Sequence, residues 1–555
     1  MAPSLQGWRI VQQQSQGQPQ RSHAHSHRQT AFAWNNTRYV RRSPESTLLY
    51  KVVQENLRSF EVLCREEGKH LPLHVTKEFE AFLKCGVLAH GFLRFRCVDC
   101  KHERLVAFSC KKRGFCGSCG ARRMAETAAH LTDNVFPTST IIRQWVLSMP
   151  IPLRYMCARN SRLQGKILRF TNSVIARAIK ESVQLRLDEK YPQNKIRNLE
   201  AGAVTLIQRF GGHVNLNVHF HMLHVQGAWE ISSDSDKTIV TFHSANNPTN
   251  EELLHCVEKI ASGTLRILKR MNLVEQDESE HDVVAAQLTD ADDPLAGIQA
   301  ASTQNKIALG IRKGQNVRRL IEQLEEDYLQ SEPKLTGDMV VSFMGFSLHA
   351  AVSAWSTNKV RLEQLVRYTA RPAVSEERLS QANNGDIHYR LKTPWRDGTT
   401  GVVFSPLEFL EKLSALVPPP RIHLTRFHGI LAPHSKFRKL VVPQIVEEKT
   451  EEDTDVEKSL EVQDSDATDD GAKQKRISWA KLLSRVFALD MGNCELCAGE
   501  MKAISAVIKQ EVVVKILTHL GLPARAPPIS PSRVPRQEEF WDQSHPQHDE
   551  FSQLN

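Results

Sequence analysis

The stretch that best indicates the fold of this chain reads Asn217-Val218-His219-Phe220-His221-Met222-Leu223-His224-Val225. In a strand, alternate side chains point to the same face, so His219 and His221 project together and Val218, Phe220 and Met222 face the other way. His224 falls on the opposite parity from His221. Apolar residues flank both imidazoles, as in a largely buried strand. The pattern therefore predicts a strand over Val214–Gln226 that presents two histidines side by side.

A second strand is predicted over Ala203–Phe210, and Gly211-Gly212 would join the two strands as a hairpin. Two imidazoles about 7 Å apart along a strand can chelate one divalent cation, and oxygen ligands extend the choice toward magnesium or manganese. Gln208 on the first strand offers an amide oxygen as a third ligand, although a hydrogen-bonding Gln is the commoner explanation. The alternative for His219 and His221 is a polar strand face with solvated histidines.

The third informative feature is a tyrosine at the end of a predicted helix. Val360–Thr369 has helical periodicity and stops before Pro372, because a proline disfavours the helical conformation of the residue before it. Tyr368 is one of only seven tyrosines and lies between Arg367 and Arg371. Neighbouring cations can contact a phosphate and favour the phenolate, which is the activation that a nucleophile needs. The alternative is an amphipathic aromatic side chain at a helix terminus.

Cysteines are concentrated near the N-terminus, where six of the 11 lie between Cys85 and Cys119. Cys97-x2-Cys100 is followed, after 15 intervening residues, by Cys116-x2-Cys119. Two such pairs can supply four thiolates in tetrahedral geometry, so these four residues are predicted to bind one structural zinc ion. Four neighbours could replace one of these ligands or help to hold a second ion: Cys85, His90, His102 and Cys110.

The charge distribution favours a polyanionic partner. The chain has a formal net charge of +9 and a pI of about 8.9, and cations crowd the segments 101–123 and 143–197. Basic residues beside the cysteines and the tyrosine are candidates for contact with a DNA backbone, although each cluster alone could be a solvated face. These candidates are Lys111, Lys112, Arg113, Arg122, Arg123, Arg367 and Arg371.

No apolar run approaches the roughly 18 residues that a membrane span needs, so no membrane partner is expected. The polar segment Gln12–Arg28 has no apolar core of the kind found in signal peptides, which predicts a cytoplasmic protein. Three further elements are predicted: a strand over Thr140–Leu147, a helix over Leu163–Leu187, and a segment Met339–Trp355 that begins as strand and continues as helix.

These motifs, in this order, resemble those of the rolling-circle transposases of the HUH class, in particular the insertion sequence 91 family and its common-region relatives. HUH stands for His, a hydrophobic residue and His, which here is His219-Phe220-His221. The resemblance runs from about residue 47 to 443 and resumes over 479–528. Its most specific segments are Lys84–Phe92, Gly114–Met124, Ile207–Phe210, Arg367–Pro372 and Phe427–Pro433.

The resemblance implies an α+β chain in which a zinc-ribbon-like N-terminal domain precedes an HUH nuclease domain, an antiparallel sheet with flanking helices. A magnesium or manganese ion on His219 and His221 would polarise a phosphate of single-stranded DNA, and Tyr368 would attack it. The products would be a 5′-phosphotyrosine link and a free 3′-hydroxyl. The implied partners are the single-stranded ends of the element and the target DNA, in the nucleoid of a bacterium.

The resemblance and the composition together divide the chain into six parts. They are a disordered basic and polar tail (1–43), a zinc-binding and DNA-binding domain (44–135), a catalytic domain (138–443, with an acidic insertion at about 275–300), an acidic linker (444–476), a small C-terminal module (477–523) and a disordered tail (524–555).

Some questions stay open at this level. Gln364 and Pro372 stand where a second tyrosine would lie, which indicates the single-tyrosine branch and leaves second-strand transfer to a second round or a second subunit of a homo-oligomer. Gln364 is also an alternative to Gln208 as metal ligand. Cys494-x2-Cys497 is half a zinc site and needs a contribution from His519 or another chain. The alternative functions are a rolling-circle replication initiator or relaxase, and a non-catalytic zinc-ribbon DNA-binding protein.

Overall fold

The computed structural model describes residues 42–191, 197–234, 237–274, 294–321, 339–395, 397–444 and 492–533. The helices are α1 (Leu48–Glu66), α2 (Leu73–Lys84), α3 (Gly117–Asn134), α4 (Ile151–Arg159), α5 (Ser161–Lys190), α6 (Asn250–Arg270), α7 (Pro294–Thr303), α8 (Lys359–Thr369), α9 (Pro406–Leu416), α10 (Arg438–Val441) and α11 (Gln510–His519).

The strands are β1 (Phe92–Cys97), β2 (Glu103–Ala107), β3 (Ile141–Ser148), β4 (Leu199–Glu200), β5 (Gly202–Phe210), β6 (Leu216–Val225), β7 (Gly227–Asp234), β8 (Lys237–Ser244), β9 (Arg318–Ile321), β10 (Val340–Phe343), β11 (Phe346–Trp355), β12 (Leu379–Gln381), β13 (Ile387–Arg390), β14 (Thr399–Phe404), β15 (Thr425–Gly429) and β16 (Met501–Val507). This mixture of helices and antiparallel sheets confirms the predicted α+β class.

The largest sheet has six antiparallel strands in the order β10-β11-β3-β6-β5-β15. The predicted hairpin is its centre: β5 and β6 pair with each other, and β3 covers the other edge of β6. Three smaller antiparallel sheets surround it, in the orders β12-β13-β14-β9, β4-β7-β8 and β16-β1-β2.

The alternation along β6 buries both faces of the central sheet. Val218, Phe220 and Met222 join one apolar core with residues of α4, α5 and α6. Leu223 and Val225, on the face that carries the paired histidines, join a second core with residues of α3 and α8. The central strand is therefore buried on both faces except where the histidines line a cavity.

Local capping explains where two of the helices begin. The Asn160 side chain accepts from the Leu163 amide at 2.9 Å to start α5, and Asn358 accepts from Arg361 at 3.1 Å to start α8. Helix α8 ends before Pro372, as the sequence predicts. Its start fixes which residue of the helix faces the sheet, and hence where Tyr368 lies.

The C-terminal segment 492–533 does not stand apart from the N-terminal domain. Strand β16 pairs along β1, and the buried Val513 and Leu517 of α11 pack against Leu88 and Phe92. The described part of the predicted 477–523 module therefore completes the N-terminal sheet. Residues 524–533, at the start of the predicted disordered tail, contact α1, where the Ser530 amide donates to the Gln54 carbonyl at 3.1 Å.

One prediction is wrong at the level of secondary structure. The second half of Met339–Trp355 is strand, because β11 pairs with β3 as far as Trp355. Helix α7, which begins at Pro294, includes the end of the predicted acidic insertion. The predictions for 1–41, 275–293, 445–491 and 534–555 lie outside the described residues. No helix in the described ranges is both long and apolar enough to cross a membrane.

Candidate active site and zinc clusters

The paired histidines lie on the central sheet as the strand pattern predicts. The ring centroids of His219 and His221 are 4.8 Å apart, and His221 is buried. The antiparallel register sets Ser148 and Gln208 on either side of His219, and Val146 and Leu206 on either side of His221. Directly paired residues share a face, and of these four side chains Val146 and Ser148 line the same cavity as the two histidines.

Each histidine has a hydrogen-bond partner at Nδ1. The Nδ1 atom of His219 lies 2.9 Å from the Asn217 carbonyl oxygen, and Nδ1 of His221 lies 2.6 Å from Nε2 of the Gln144 side-chain amide. A carbonyl oxygen only accepts, so His219 must carry its proton on Nδ1, which leaves Nε2 as a lone-pair donor. Metal-binding histidines commonly have this arrangement, with the non-ligating nitrogen hydrogen-bonded to a carbonyl or carboxylate.

Burial keeps both imidazoles neutral. It lowers the pKa of His219 to about 4, against the opposing effect of the Asn217 hydrogen bond. It lowers the pKa of His221 to about 2, and the nearby His219 and Arg371 add to that effect. A neutral imidazole is the form that binds a metal ion. Both histidines are therefore ready to bind one at neutral pH without first losing a proton.

Tyr368 and the two histidines line one cavity of about 600 Å³. The Tyr368 ring stands edge-on to His221 with centroids 6.4 Å apart, and its side chain is 46% exposed. The Arg371 guanidinium carbon lies 5.3 Å from the ring centroid and the Lys392 ammonium 5.0 Å from it. The cavity thus combines two neutral imidazoles, a phenol and the guanidinium groups of Arg361 and Arg371, a set suited to a phosphate group.

Sequence reasoning missed several polar residues of this cavity. Gln144, Ser148, Asn217 and His349 all contribute to its lining. Gln144, Ser148 and His349 could not be found from spacing along the chain, since they reach the histidines through the strand register of β3 and β11. Asn217 could have been found, because strand alternation places it on the same face as His219. Gln364, the alternative metal ligand, does line the cavity.

Gln208 has a different position from the one predicted. Its Nε2 donates to the Thr369 carbonyl at 2.6 Å, and its Oε1 is buried with no hydrogen-bond partner among the described residues. It lines a neighbouring cleft rather than the cavity of the histidines. Gln208 therefore ties β5 to the last residue of the tyrosine helix α8.

The neighbouring cleft, of about 100 Å³, contains four of the seven basic residues predicted to contact DNA: Lys112, Arg113, Arg123 and Arg371. None of its lining residues is acidic. Arg371 lines both this cleft and the cavity of Tyr368. The other three candidates lie elsewhere: Lys111 is exposed, Arg122 pairs with Glu126, and Arg367 pairs with Glu363.

The cysteines form two clusters in the described residues, and the prediction of a single site from Cys97, Cys100, Cys116 and Cys119 is wrong in its grouping. One cluster is Cys85, Cys110, Cys116 and Cys119; the other is Cys97, Cys100, Cys494 and Cys497. Within each cluster the ligand atoms lie within 4.8 Å of one another.

The β1–β2 hairpin is the physical reason for this division. Cys97 and Cys100 lie at its turn, whereas Cys85 and Cys110 lie at its open end, where the Gly86 amide donates to the Phe108 carbonyl at 2.9 Å. A strand of this length separates the two ends by roughly 17–20 Å. One ion cannot bridge that distance, so Cys116 and Cys119 pair with the open end.

The first cluster has the geometry of a structural zinc site. Its sulfur atoms are separated by 3.4 Å (Cys110 to Cys119) and 3.7 Å (Cys85 to both Cys116 and Cys119). Tetrahedral zinc with Zn–S bonds of about 2.3 Å needs sulfur separations of about 3.8 Å. Contacts from the other three thiols lower the pKa of Cys119, as expected where a thiolate is needed. His90 and His102 belong to neither cluster.

Two family models match the chain. Residues 55–149 match a family model for insertion sequence 91 that is described as "Transposase zinc-binding domain". Residues 202–439 match a family model that is described as "Putative transposase". The first match contains six of the eight cysteines in the two clusters, and the second contains His219, His221 and Tyr368. Comparison with the curated proteins and with the solved structures gave no significant match.

Proposed function

Because this chain belongs to the insertion sequence 91 family of transposases, we propose that it cuts and rejoins single-stranded DNA by attack of Tyr368 on a phosphate bound at His219 and His221. The observation that carries this proposal is one shared cavity. Two neutral imidazoles, each with Nδ1 occupied, face a tyrosine ring 6.4 Å from His221 and flanked by two cations.

The donor set fits a divalent metal ion. With His219 and His221 supplying two nitrogen ligands, the remaining positions would fall to water, to DNA phosphate oxygens and to an amide oxygen such as that of Gln364. Such an ion supplies Lewis-acid polarisation of the scissile phosphate. Imidazole suits manganese better than magnesium, which prefers oxygen ligands, so we expect manganese to support activity at the lower concentration.

The protein's own groups account for the strand cleavage. The phenolic oxygen of Tyr368 forms a bond to phosphorus as the bond from phosphorus to the 3′ oxygen breaks. The phenolic proton passes to solvent, and the departing 3′ oxygen takes up a proton to become a hydroxyl. Arg371 and Lys392 offer positive charge to the phosphate during this exchange. The 5′-phosphotyrosine bond keeps the energy of the broken one, so rejoining needs no nucleotide cofactor.

The basic cleft extends the binding surface beyond the reacting phosphate. Arg371 lines both cavities, so a strand bound at Tyr368 would pass this guanidinium and continue toward Lys112 and Arg123. With no carboxylate in the lining, the cleft favours a polyanion. We therefore propose that the single strand follows this path from the catalytic domain to the zinc-binding domain.

The decisive experiment measures the covalent intermediate. End-labelled single strands covering the DNA on both sides of the gene are incubated with the full chain and manganese, then resolved on a denaturing gel. We expect a protein–DNA adduct with wild type and with Tyr191→Phe, a control tyrosine of similar exposure (45%) outside the cavity. Tyr368→Phe and His219→Ala should give none.

Two outcomes would contradict the proposal. An adduct that persists in Tyr368→Phe would mean that another residue is the nucleophile. DNA binding without an adduct from the wild-type chain on any of these strands would favour a non-catalytic DNA-binding protein.

The strand path has its own test with a matched pair of substitutions. Lys112→Glu and Lys111→Glu change the net charge equally, but only Lys112 lines the cleft. We expect Lys112→Glu to weaken single-strand binding more strongly and to reduce the slope of log affinity against log salt by about one relative to Lys111→Glu. Equal effects of the two substitutions would show that the strand does not enter the cleft.

A further inference from the structure

The second cysteine cluster is built from two parts of the chain that lie far apart in sequence. The Cys97 sulfur lies 3.4 Å from that of Cys497, and the Cys100 sulfur lies 3.5 Å from that of Cys494, across sequence separations of 400 and 394 residues. Cys494 and Cys497 lie outside both family matches, which end at residues 149 and 439.

The two Cys-x2-Cys turns have the same backbone form. In each, the residue after the second cysteine has a left-handed conformation: Lys101 at φ 63° and Ala498 at φ 59°. The turns approach each other closely, since a Cβ on Gly499 would lie 2.0 Å from an Asp99 carboxylate oxygen. Any larger residue at position 499 would displace the Asp99 side chain. Two knuckles that face each other in this way are the usual means of holding one tetrahedral ion.

We propose that Cys97, Cys100, Cys494 and Cys497 bind a second zinc ion, which fastens the C-terminal segment to the zinc-binding domain. These sulfur separations are close to the roughly 3.8 Å expected in a tetrathiolate zinc site. They are well above the S–S bond length of about 2.05 Å in a disulfide. Packing alone gives no reason for four thiols to converge from two chain segments at a partly exposed position.

The surrounding contacts indicate what this ion would hold. Strand β16, which begins four residues after Cys497, pairs with β1 from Met501↔Cys97 to Val507↔Phe92. At the knuckles, Nε2 of His102 lies 3.2 Å from the Glu495 carboxylate. Beyond α11, the Arg533 amide donates to the Ser59 hydroxyl of α1 at 2.9 Å. The zinc-binding domain is thus discontinuous, and this second ion joins its two parts.

The first measurement is the zinc content of the purified full chain. We expect two zinc ions per wild-type chain and one in the double variant Cys494→Ser/Cys497→Ser. Cys256→Ser, a buried cysteine outside both clusters, should retain two. One zinc ion in wild type, or an unchanged content in the double variant, would overturn the proposal. Zinc content does not depend on DNA cleavage, so this result is separable from that of the adduct assay.

Two further readouts cover a double variant that folds poorly. Cys497→His keeps a zinc ligand, so this variant should retain two zinc ions, and hydrogen exchange of its β16 amides should remain slow. Cys497→Ser should accelerate hydrogen exchange of the β16 amides and leave exchange in β3 unchanged. Alkylation of the native chain followed by mass spectrometry tests for disulfides instead. A Cys97–Cys497 or Cys100–Cys494 disulfide in the chain purified under reducing conditions would contradict the zinc site.

Discussion

Gln144→Leu should weaken metal binding at the histidine site while leaving the ligands in place. The Gln144 side chain is 2% exposed and lies 2.6 Å from Nδ1 of His221. For His221 to bind a metal through Nε2, its Nδ1 must carry the proton, and Gln144 must present its oxygen to accept that proton. The structure places Nε2 of Gln144 next to Nδ1, and turning the amide over exchanges this nitrogen with the oxygen, which is the orientation that metal binding through Nε2 of His221 requires.

The magnitude follows from what the substitution removes. Leucine fills nearly the same volume but accepts no hydrogen bond, so a buried N–H would lose its partner at a cost of about 1–3 kcal/mol. Loss of such a partner typically costs 10–100-fold in metal affinity, or about 1.4–2.7 kcal/mol. His219 serves as an internal reference, since its Nδ1 partner is the Asn217 backbone carbonyl, which side-chain substitution does not remove.

The assay is adduct formation as a function of manganese concentration. Gln144→Leu should raise the half-saturating concentration 10–100-fold and leave the rate at saturating manganese within a few-fold of wild type. Gln144→Glu is the matched control: a carboxylate accepts from Nδ1–H at least as well, so its half-saturating concentration should not rise. A Leu variant with wild-type metal dependence, or a Glu variant weaker than the Leu variant, would refute this tautomer and with it the ligand role of His221.

Two other predictions concern stability. Burial lowers the pKa of His224 to about 3, below the roughly 6.5 of an unfolded histidine, so the unfolded state gains the proton first and stability falls as pH drops from 6.5 toward 3. Below pH 6.5, the free energy of unfolding of His224→Leu should fall by about 1.4 kcal/mol less per pH unit than that of wild type. Denaturant unfolding at pH 7.5 and 5.5 measures this difference, and an equal pH dependence of the two proteins would contradict the prediction. In Gly120→Ala, the new Cβ would lie 2.7 Å from Pro372 Cβ. The resulting overpacking should cost about 1–3 kcal/mol of stability, which exceeds the gain of about 1 kcal/mol from the higher helix propensity of alanine, so the variant should be less stable than wild type. Gly165→Ala in α5, whose Cβ would meet only Arg169 at 4.0 Å, should stabilise instead, and equal effects of the two substitutions would argue against a tight α3–Pro372 contact.

The central hairpin and the tyrosine helix could be predicted because their signals are local. Strand alternation decides the face of each side chain in β6, and the proline after α8 decides where that helix ends. The wrong helix at the end of β11 has the opposite cause. Its alanines and serines have no strong strand propensity, and pairing with β3 on the neighbouring edge overrides the local preference.

The grouping of the cysteines could not be predicted for a different reason. Spacing alone makes Cys97-x2-Cys100 and Cys116-x2-Cys119 partners, but the hairpin between them sends each pair to a different end of a strand. The true partners of Cys97 and Cys100 lie about 400 residues away. Cys494-x2-Cys497 carried a usable signal, since half a zinc site implies another half elsewhere in the chain or in another chain.

The first cysteine cluster also bears on the position of the tyrosine, although none of its cysteines lines the cavity of Tyr368. Cys116 occupies the N-cap position of α3 and Cys119 lies in its first turn, so an ion there would fix the start of that helix. Helix α3 shares an apolar core with α8, and Gly120 lets it approach Pro372 just beyond the tyrosine. On the other side, Gln208, which is paired with His219, holds the carbonyl of Thr369. The distance between the histidines and Tyr368 is thus set from two directions, by the sheet and by the zinc-binding helix. On the proposed mechanism, removing zinc should therefore impair adduct formation by displacing Tyr368, while the half-saturating manganese concentration stays the same.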